Sequence, residues 1–217
     1  FTEKENSNLA GVSKSSIAFS DIDCDGDEDL VVCGTDGSGK EITKLYTNDG
    51  LGNFTEKENS NLIGLKDGSV AFSNIDGDGD EDLLICGFDA SYKAITKLYT
   101  NDGEGNFTER ITQSSVDDQL RLKGTMEGAL AMADVNGDQH PDLFVMGTDN
   151  NYARTSNLYL NDGKGQFTLS KDYEVSGMNG GSAAFADVDS DGDQDLLTTG
   201  FDDSYEPYTL LYLNGKD

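Results

Sequence analysis

The chain has 217 residues, and 35% of them are hydrophobic, which is enough for one or two compact domains with an apolar core. Its formal net charge is −27, because 42 aspartates and glutamates face 15 lysines and arginines. Such a charge is repelled by nucleic acid and by anionic lipid, so it argues against both as partners. No stretch approaches the roughly 20 apolar residues of a membrane span, so membrane insertion is not expected either.

The letters "FTEKENSNL" at Phe1 return unchanged at Phe54, which identifies an internal repeat. An acidic loop recurs as "DIDCDGDEDL" (21–30), "NIDGDGDEDL" (74–83), "DVNGDQHPDL" (134–143) and "DVDSDGDQDL" (187–196). The loops start 53, 60 and 53 residues apart, and the third unit carries its seven extra residues within "ERITQSSVDDQLRLKG" (109–124). We therefore interpret residues 1–217 as a single domain of four repeats.

The first unit predicts four short strands. "SSIAFSDI" (15–22) is small and apolar, and after the acidic loop "DLVVCG" (29–34) has the continuous apolar run of a buried strand. "EITKLYTN" (41–48) alternates in part and leads into an Asn-Asp-Gly hairpin turn, followed by the polar strand "NFTEKEN" (53–59). Four strands per unit of about 50 residues, with no helical periodicity, predict an all-β protein: a β-propeller with one four-stranded blade per unit.

The ends of the chain raise the question of ring closure. It begins at Phe1 with an outer strand (1–5), without an initiator methionine, which is typical of a processed product or a fragment. The fourth unit stops after its third strand (209–214), so the N-terminal strand is expected to complete the last blade and remove two exposed edges. We favour closure within one chain, which predicts a ring of four blades; the alternative, closure between two chains, predicts a ring of eight.

The acidic loops place oxygen-bearing side chains at alternate positions, with glycine at position 6 in three of them. This pattern predicts a loop wrapped around one hard cation, and Ca²⁺ fits better than Mg²⁺ because it accepts six to eight oxygens in a tolerant geometry. An EF-hand is excluded, because its twelfth position requires glutamate and here lies inside a strand. The residues at positions 1, 3, 5 and 9 are Asp21, Asp23, Asp25 and Asp29; Asn74, Asp76, Asp78 and Asp82; Asp134, Asn136, Asp138 and Asp142; and Asp187, Asp189, Asp191 and Asp195.

The motif D-x-D-x-D-G-x-x-D-L, repeated together with "LYxNDGxGxF", resembles the FG-GAP/VCBS repeat family, which includes the calcium-binding blades of integrin α-subunits. The resemblance covers essentially the whole chain. It implies one Ca²⁺ per blade, about four in all, held by positions 1, 3, 5 and 9 and by the backbone carbonyl of position 7. The position-7 residues are Asp27, Asp80, His140 and Asp193.

The four loops are not equivalent. Gln139 replaces glycine at position 6 of the third loop, where the backbone is expected to need a positive φ, and this loop also has the fewest charges. We therefore expect the third site to be the weakest. Cys24 lies in the first loop as a free or intermolecular thiol, whereas Cys33 and Cys86 are expected to be small core residues.

The motifs favour binding over catalysis. The single histidine, His140, lies in a metal loop, so no Ser-His-Asp arrangement is available, and a polysaccharide-active enzyme is the weakest alternative. Turns with Asp36, Asp89, Asp149 and Asp202 recur after the second strands, three of them with tyrosine (Tyr92, Tyr152, Tyr205), and suit turn capping or contact with a glycan or peptide. We predict a secreted or cell-surface adhesion or structural module, alternatively a lectin-like one, that binds a protein or glycan and forms homo-oligomers or filaments.

Overall fold

The structure, a computed structural model, describes residues 1–5, 7–110 and 122–215. These residues form strands and no helix, so this part of the chain contains no helix of the length and apolarity that a bilayer crossing requires. The strands are β1 (Val12–Ser20), β2 (Asp29–Asp36), β3 (Glu41–Asn48), β4 (Phe54–Glu56), β5 (Lys66–Ser73), β6 (Asp82–Phe88), β7 (Ala94–Thr100), β8 (Thr108–Arg110), β9 (Met126–Ala133), β10 (Asp142–Thr148), β11 (Arg154–Asn161), β12 (Phe167–Leu169), β13 (Ala183–Ala186), β14 (Asp195–Phe201) and β15 (Pro207–Tyr212).

The strands pair into four small antiparallel sheets, which we call blades 1 to 4. Blade 1 has the order β1-β2-β3-β4, blade 2 β5-β6-β7-β8 and blade 3 β9-β10-β11-β12, whereas blade 4 has three strands, β13-β14-β15. The first strands lie side by side in succession, β1 against β5, β5 against β9 and β9 against β13. This arrangement confirms the all-β prediction and is that of a β-propeller-like fold.

The second strand of each blade is its most buried element, because its sequence is apolar on both faces. Residues 30–33 of β2 and 83–86 of β6 are all buried, including Cys33 and Cys86, as predicted for core cysteines. A strand that is apolar on both faces must be covered on both, so each blade packs against its neighbours.

Neighbouring blades pack through opposite faces of their sheets. Val31 and Cys33 of blade 1 share one apolar cluster with Leu83 and Ile85 of blade 2. Equivalent clusters fill the junctions between blades 2 and 3 and between blades 3 and 4. We call the face of a blade toward the next blade its trailing face, and the face toward the preceding blade its leading face.

A side-chain amide crosses each of these junctions. Asn101, just after the third strand of blade 2, donates through Nδ2 to Ile22 O in the acidic loop of blade 1 (2.8 Å). The equivalent bonds run from Asn161 to Ile75 O and from Asn214 to Val135 O, each 2.8 Å long. Because a buried amide must satisfy its donors, these bonds favour one geometry for every junction.

The structure does not contain the predicted N-terminal outer strand. Residues 1–5 lie outside the strands, and Lys4 Nζ donates to Leu51 O (3.1 Å) in the Asn-Asp-Gly turn of blade 1. Among the described residues, no fourth strand pairs with β15. The four sheets do not close into a ring. Closure would require blades 1 and 4 to lie against each other, whereas Ile17 of blade 1 and Leu211 of blade 4 are exposed. The predicted seven-residue insertion falls largely within 111–121, outside the described residues.

The junctions predict a position-dependent effect of adding one methyl group. A Cβ on Gly64 would lie 2.1 Å from Glu41 O of the preceding blade, whereas a Cβ on the equivalent Gly11 would have no atom within 4 Å. We expect Gly64→Ala to lower the free energy of unfolding by about 2 to 3 kcal/mol, because backbone must move to make room. Gly11→Ala is the matched control and should leave the free energy of unfolding unchanged. Both variants are measured by urea denaturation at submicromolar protein concentration. Equal effects of the two variants would contradict the packing described.

Candidate metal centre

The aspartate at position 9 of each acidic loop is buried and connects the loop to the blade. In blade 2, Ile75 N donates to Asp82 Oδ2 (2.9 Å) and Asn101 N donates to Asp82 Oδ1 (2.9 Å). The same pair of bonds recurs at Asp29, Asp142 and Asp195. Each carboxylate therefore bridges the start of the acidic loop and the end of the third strand, and each of its oxygens keeps further acceptor capacity.

Burial makes these carboxylates unusual. It raises the pKa of Asp82 and of Asp142 to about 6, and the negative charges of the neighbouring loop aspartates act in the same direction. The pKa of Asp29 is also raised, mainly by burial. The donated backbone N–H groups oppose the increase in each case. The base of each of these three loops is thus a place where negative charge is poorly solvated and where a cation would be stabilised.

The aspartates at positions 1 and 5 shape the loop through bonds to its own backbone. Asp21 accepts from Asp25 N (3.1 Å) and from Gly26 N (3.0 Å), so the chain turns around its carboxylate. Asp25 Oδ1 accepts from Asp27 N (2.9 Å), and the position-5 aspartates of the other loops make the same bond. These bonds curl the loop, and the position-5 carboxylates, which cap its backbone, are not among the groups of acidic side chains that come together in the described part of the chain.

Position 3 provides the sharpest indication of a ligand. Asp23 Oδ1 and Asp76 Oδ1 are buried and accept no hydrogen bond. A buried carboxylate oxygen without a partner is costly, and a bound cation removes that cost. Asp76 Oδ2 lies 3.5 Å from Arg110 Nη1, which neutralises part of the charge of the second loop.

The distances between ligand atoms fit one ion in two of the loops. Oxygens of Asp21, Asp23 and Asp29 lie within 4.8 Å of one another, as do those of Asp187, Asp189 and Asp195. Two oxygens that share a Ca²⁺ at about 2.3–2.6 Å are at most roughly 5 Å apart, so both groups are compatible with calcium. In the second and third loops, Asn74 and Asn136 replace one carboxylate each. The donor set, all oxygen, suits Ca²⁺ rather than zinc.

The side chain of Asp27, at position 7 of the first loop, packs beside a turn of its own blade. Its carboxylate lies against Gly50 of the Asn-Asp-Gly turn, where a Cβ would be 2.5 Å from Asp27 Oδ2. Asp80 and His140 lie in the same way against the glycines of their own turns. The reason is that β2 and β3 are joined as a hairpin, which brings the loop at one end of β2 beside the turn that follows β3.

Backbone conformation separates the loops further. Gly26, Gly79 and Gly192 at position 6 have φ of 93, 106 and 94°, and Gln139 has the predicted positive φ, 72°, where a side chain is strained. Sequence reasoning missed that position 4 is also left-handed: Cys24 and Ser190 have φ of 60 and 66°, where the other two loops have glycine. Cys24 is exposed, and its Sγ donates to Asp80 Oδ1 of the next loop (3.7 Å).

Two recurring residues of the "LYxND" motif also escaped sequence reasoning. The asparagine donates its backbone N–H to the position-9 aspartate, as Asn48 does to Asp29 (2.8 Å). The tyrosine before it is buried and accepts a backbone N–H through its hydroxyl, as Tyr46 does from Ala10 N (3.0 Å). Their recurrence in all four repeats was the signal that could have identified them, because a residue kept in every repeat can be one that bonds to the acidic loop from another strand.

The turn that follows the second strand of each blade is capped by its own aspartate side chain. Asp89 Oδ1 accepts from Ser91 N (2.8 Å) and Lys93 N (2.9 Å), and Asp36, Asp149 and Asp202 make equivalent bonds, as the turn-capping interpretation predicted. The tyrosines of these turns are exposed by 71, 83 and 74% at Tyr92, Tyr152 and Tyr205. Lys66 lies over the ring of Tyr92 (4.3 Å), and Arg154 of blade 3 lies over that of Tyr205 in blade 4 (4.4 Å).

Fold and loops together define the class of this chain: a repeat protein of β-blades, each with an acidic loop between its first two strands. The model of the FG-GAP-like repeat matches residues 21–85, 74–145 and 134–198, and each match runs from one acidic loop into the strand after the next loop. The chain therefore belongs to the FG-GAP-like repeat family, as the sequence motifs predicted.

Other comparisons add little. No curated protein matches the chain. The structure is similar to that of the exo-β-1,3-galactanase of Phanerochaete chrysosporium, crystallised with β-1,3-galactotriose, at 13% identity and a TM-score of 0.47. The match covers 88% of this chain but 44% of the galactanase, so this chain spans less than half of the length of that enzyme.

The buried aspartates predict a loss of stability that is independent of metal. We expect Asp82→Ala to lower the free energy of unfolding by about 3 kcal/mol in the presence of chelator, because two buried N–H groups lose their acceptor. Asp203→Ala removes a carboxylate that is 87% exposed, and it should change stability by less than about 0.5 kcal/mol. Urea denaturation of both variants provides the measurement, and an Asp82→Ala protein as stable as the parent would refute this role.

Proposed function

We propose that the chain is a calcium-binding extracellular module that acts in adhesion, in structure or in recognition. The observation that carries the proposal is the pair of buried, unpartnered oxygens at Asp23 and Asp76, of which Asp23 lies within 4.8 Å of carboxylate oxygens of Asp21 and Asp29. Four loops of this kind in one chain concentrate 19 acidic residues. Their mutual repulsion requires counter-charge, and the oxygen donor set selects a hard cation.

The residues that would hold each ion are the side chains at positions 1, 3, 5 and 9, with the carbonyl of position 7. When bound, Ca²⁺ supplies positive charge that offsets the repulsion and connects the acidic loop to the strand after it. Because a ligand that binds the folded state alone stabilises it, calcium couples to the folding of each blade. Extracellular modules typically bind Ca²⁺ with dissociation constants of about 10⁻⁴ to 10⁻³ M, and we propose sites of this kind in a secreted or cell-surface protein.

The proposed role is not catalytic. His140 is the single histidine, and its backbone N–H donates to Asp138 in the third metal loop (2.9 Å). Exposed tyrosines recur at equivalent capped turns of three blades, and these side chains suit contact with a ligand rather than proton transfer. As the finer architecture we propose a β-propeller, because the first strands of the blades lie in succession beside one another and the blades pack face to face.

Calcium titration tests the metal sites. We expect about four equivalents of bound Ca²⁺, the third site being the weakest, and a stabilisation of about 2.7 kcal/mol per site when free calcium is 100 times the dissociation constant. Asp138→Asn should remove the weakest class of sites, whereas Asp25→Asn should remove a tighter one. Asp203→Asn, outside the loops, is the control for loss of a surface charge. Calorimetry that finds fewer than three equivalents would contradict the assignment.

Carbohydrate binding is the second candidate function, and the three exposed tyrosines at equivalent turns favour it. Aromatic rings on a rigid scaffold offer apolar faces to sugars, and the self-capped turns hold them in place. We expect a glycan array probed with the calcium-loaded protein to show binding that Tyr152→Ala weakens about tenfold, an aromatic contact of roughly 1.4 kcal/mol. Leu51→Ala, an exposed residue at the Asn-Asp-Gly turn of blade 1, is the control. An array without signal, with and without chelator, would eliminate this candidate.

A further inference from the structure

A half-open, mainly apolar cavity of about 210 Å³ lies between blades 3 and 4, beside the edge strand β15. Its walls include Val135 and Leu158 of blade 3 and Phe185, Leu196 and Tyr212 of blade 4. Apolar cavities of about 150 Å³ accommodate a benzene molecule, so this one is large enough for an aromatic ring.

The preceding junctions show what belongs in this cavity. Between blades 2 and 3, the residues equivalent to its walls surround Phe167, the first residue of the outer strand β12. They are Ile75, Leu98, Met132, Leu143 and Tyr159. Between blades 1 and 2, the equivalent residues surround Phe107, immediately before β8. The cavity is therefore the position of an outer-strand phenylalanine for which the described part of blade 4 has no residue.

The chain carries such a phenylalanine at its beginning. Residues 1–9 repeat residues 54–62 letter for letter, and Phe54 opens the outer strand β4 of blade 1. Phe1 is fully exposed, and residues 1–5 form no strand. An unpaired outer-strand sequence and an unpaired edge strand are thus present in one molecule.

Two sheet faces at the same ends are also partly uncovered. Ile17 on the leading face of blade 1 is 58% exposed, whereas its equivalent Val70 in blade 2 is 6% exposed. Leu211 on the trailing face of blade 4 is 51% exposed, whereas the equivalent Leu45 and Leu98 are completely buried. Each face exposes apolar side chains whose equivalents the internal junctions bury, although Leu30, Val32 and Tyr46 on the leading face of blade 1 are covered by Leu9, Val12 and Phe54.

A glycine on the leading face is shaped for a neighbour. At Gly64, Gly124 and Gly177, a Cβ would lie 2.1, 2.1 and 2.4 Å from a carbonyl oxygen of the preceding blade. Gly11 occupies the same position in blade 1 and has no atom within 4 Å of that point. Close approach of another backbone explains the three internal glycines, and Gly11 allows the same approach to blade 1.

Lys4 shows where residues 1–5 lie. Lys57, in the outer segment of blade 1, donates to Glu104 O in the turn of blade 2 (2.7 Å). Lys4, its equivalent, donates to Leu51 O in the turn of blade 1 (3.1 Å). Residues 1–5 are therefore held where the outer strand of a blade preceding blade 1 would lie.

We propose that two copies of this chain associate head to tail, with blade 4 of one copy packed on the leading face of blade 1 of the other. Residues 1–5 of the second copy become the fourth strand of that blade 4, and Phe1 fills the cavity. The register is that of β3 with β4, in which Asn48 pairs with Phe54. By equivalence, Asn214 pairs with Phe1, Leu213 with Thr2, and Tyr212 with Glu3.

A second copy fits these faces better than the chain's own first blade. The two faces are exposed in one molecule, so closure within it requires all three internal junctions to rotate. Each junction is a packed apolar cluster crossed by the same 2.8 Å amide bond, and close-packed interfaces resist such deformation. A second copy can be added with the junction geometry unchanged. Repeated head-to-tail contacts then either close into a ring of copies or extend into a filament.

The first test is the mass of the full chain by sedimentation equilibrium, in millimolar calcium and about 0.15 M salt to screen the charge of the two copies. We expect the parent to sediment as a dimer or larger assembly at micromolar concentration. Phe1→Ala should raise the dissociation constant at least about 30-fold, as for an interface hot spot. Gly11→Ala should be monomeric with unchanged stability. Tyr152→Ala, an exposed aromatic outside both faces, is the control and should associate like the parent.

The second test exploits the two different faces. Ile17→Glu alters the leading face and Leu211→Glu the trailing face, and both side chains are exposed, so neither change disturbs the fold. Each variant alone should be monomeric, because each of its contacts would include one altered face. A 1:1 mixture should form a dimer, since one pair of unaltered faces remains. A monomeric parent chain, variants that keep the parent's mass, or a mixture that stays monomeric would overturn the proposal.

Discussion

The structure depends on one buried carboxylate per repeat. Asp82 and its equivalents accept one backbone N–H from the start of the acidic loop and one from the end of the third strand, without exposure to solvent. This contact joins the two ends of the acidic loop to the end of the third strand, 19 residues beyond the aspartate, and holds the loop in a turn with further acidic residues. Crowded negative charge is thereby built into the architecture, and the cation proposed to neutralise it would be held by the repeat itself rather than by a separate binding domain.

The junction between blades is the second repeated unit of the architecture. It contains an apolar cluster and an asparagine amide that crosses to the preceding blade. At the first two junctions, a lysine or arginine side chain also donates to a carbonyl in the turn of the following blade. Because every internal blade is apolar on both faces, an array of such blades always presents one unsatisfied face at each end. The chemistry of these ends therefore decides whether the array closes on itself, associates with another copy or is extended by further blades.

Much of this molecule could be predicted from its sequence because the same structural unit is repeated four times. Repeats of "FTEKENSNL" and of the acidic loop predicted the strand order of each blade, and positive φ at Gln139 followed from the glycines in the other loops. Left-handed Cys24 was not predicted, since cysteine has no preference for that conformation. The contact of Asp27 with Gly50 was not predicted either, because it joins a loop to a turn more than 20 residues away.

The sequence by itself determined the number of repeats, the strands within each, and the acidic loop between the first two strands, because all of these depend on local spacing and hydrophobic pattern. It did not decide how the ends of the array are completed. An outer strand at residues 1–5 was predicted from its identity with 54–58, yet the tertiary structure leaves it beside the turn of blade 1. The reason is physical: strand pairing at the ends depends on the rotation accumulated over three packed junctions, which no single repeat encodes.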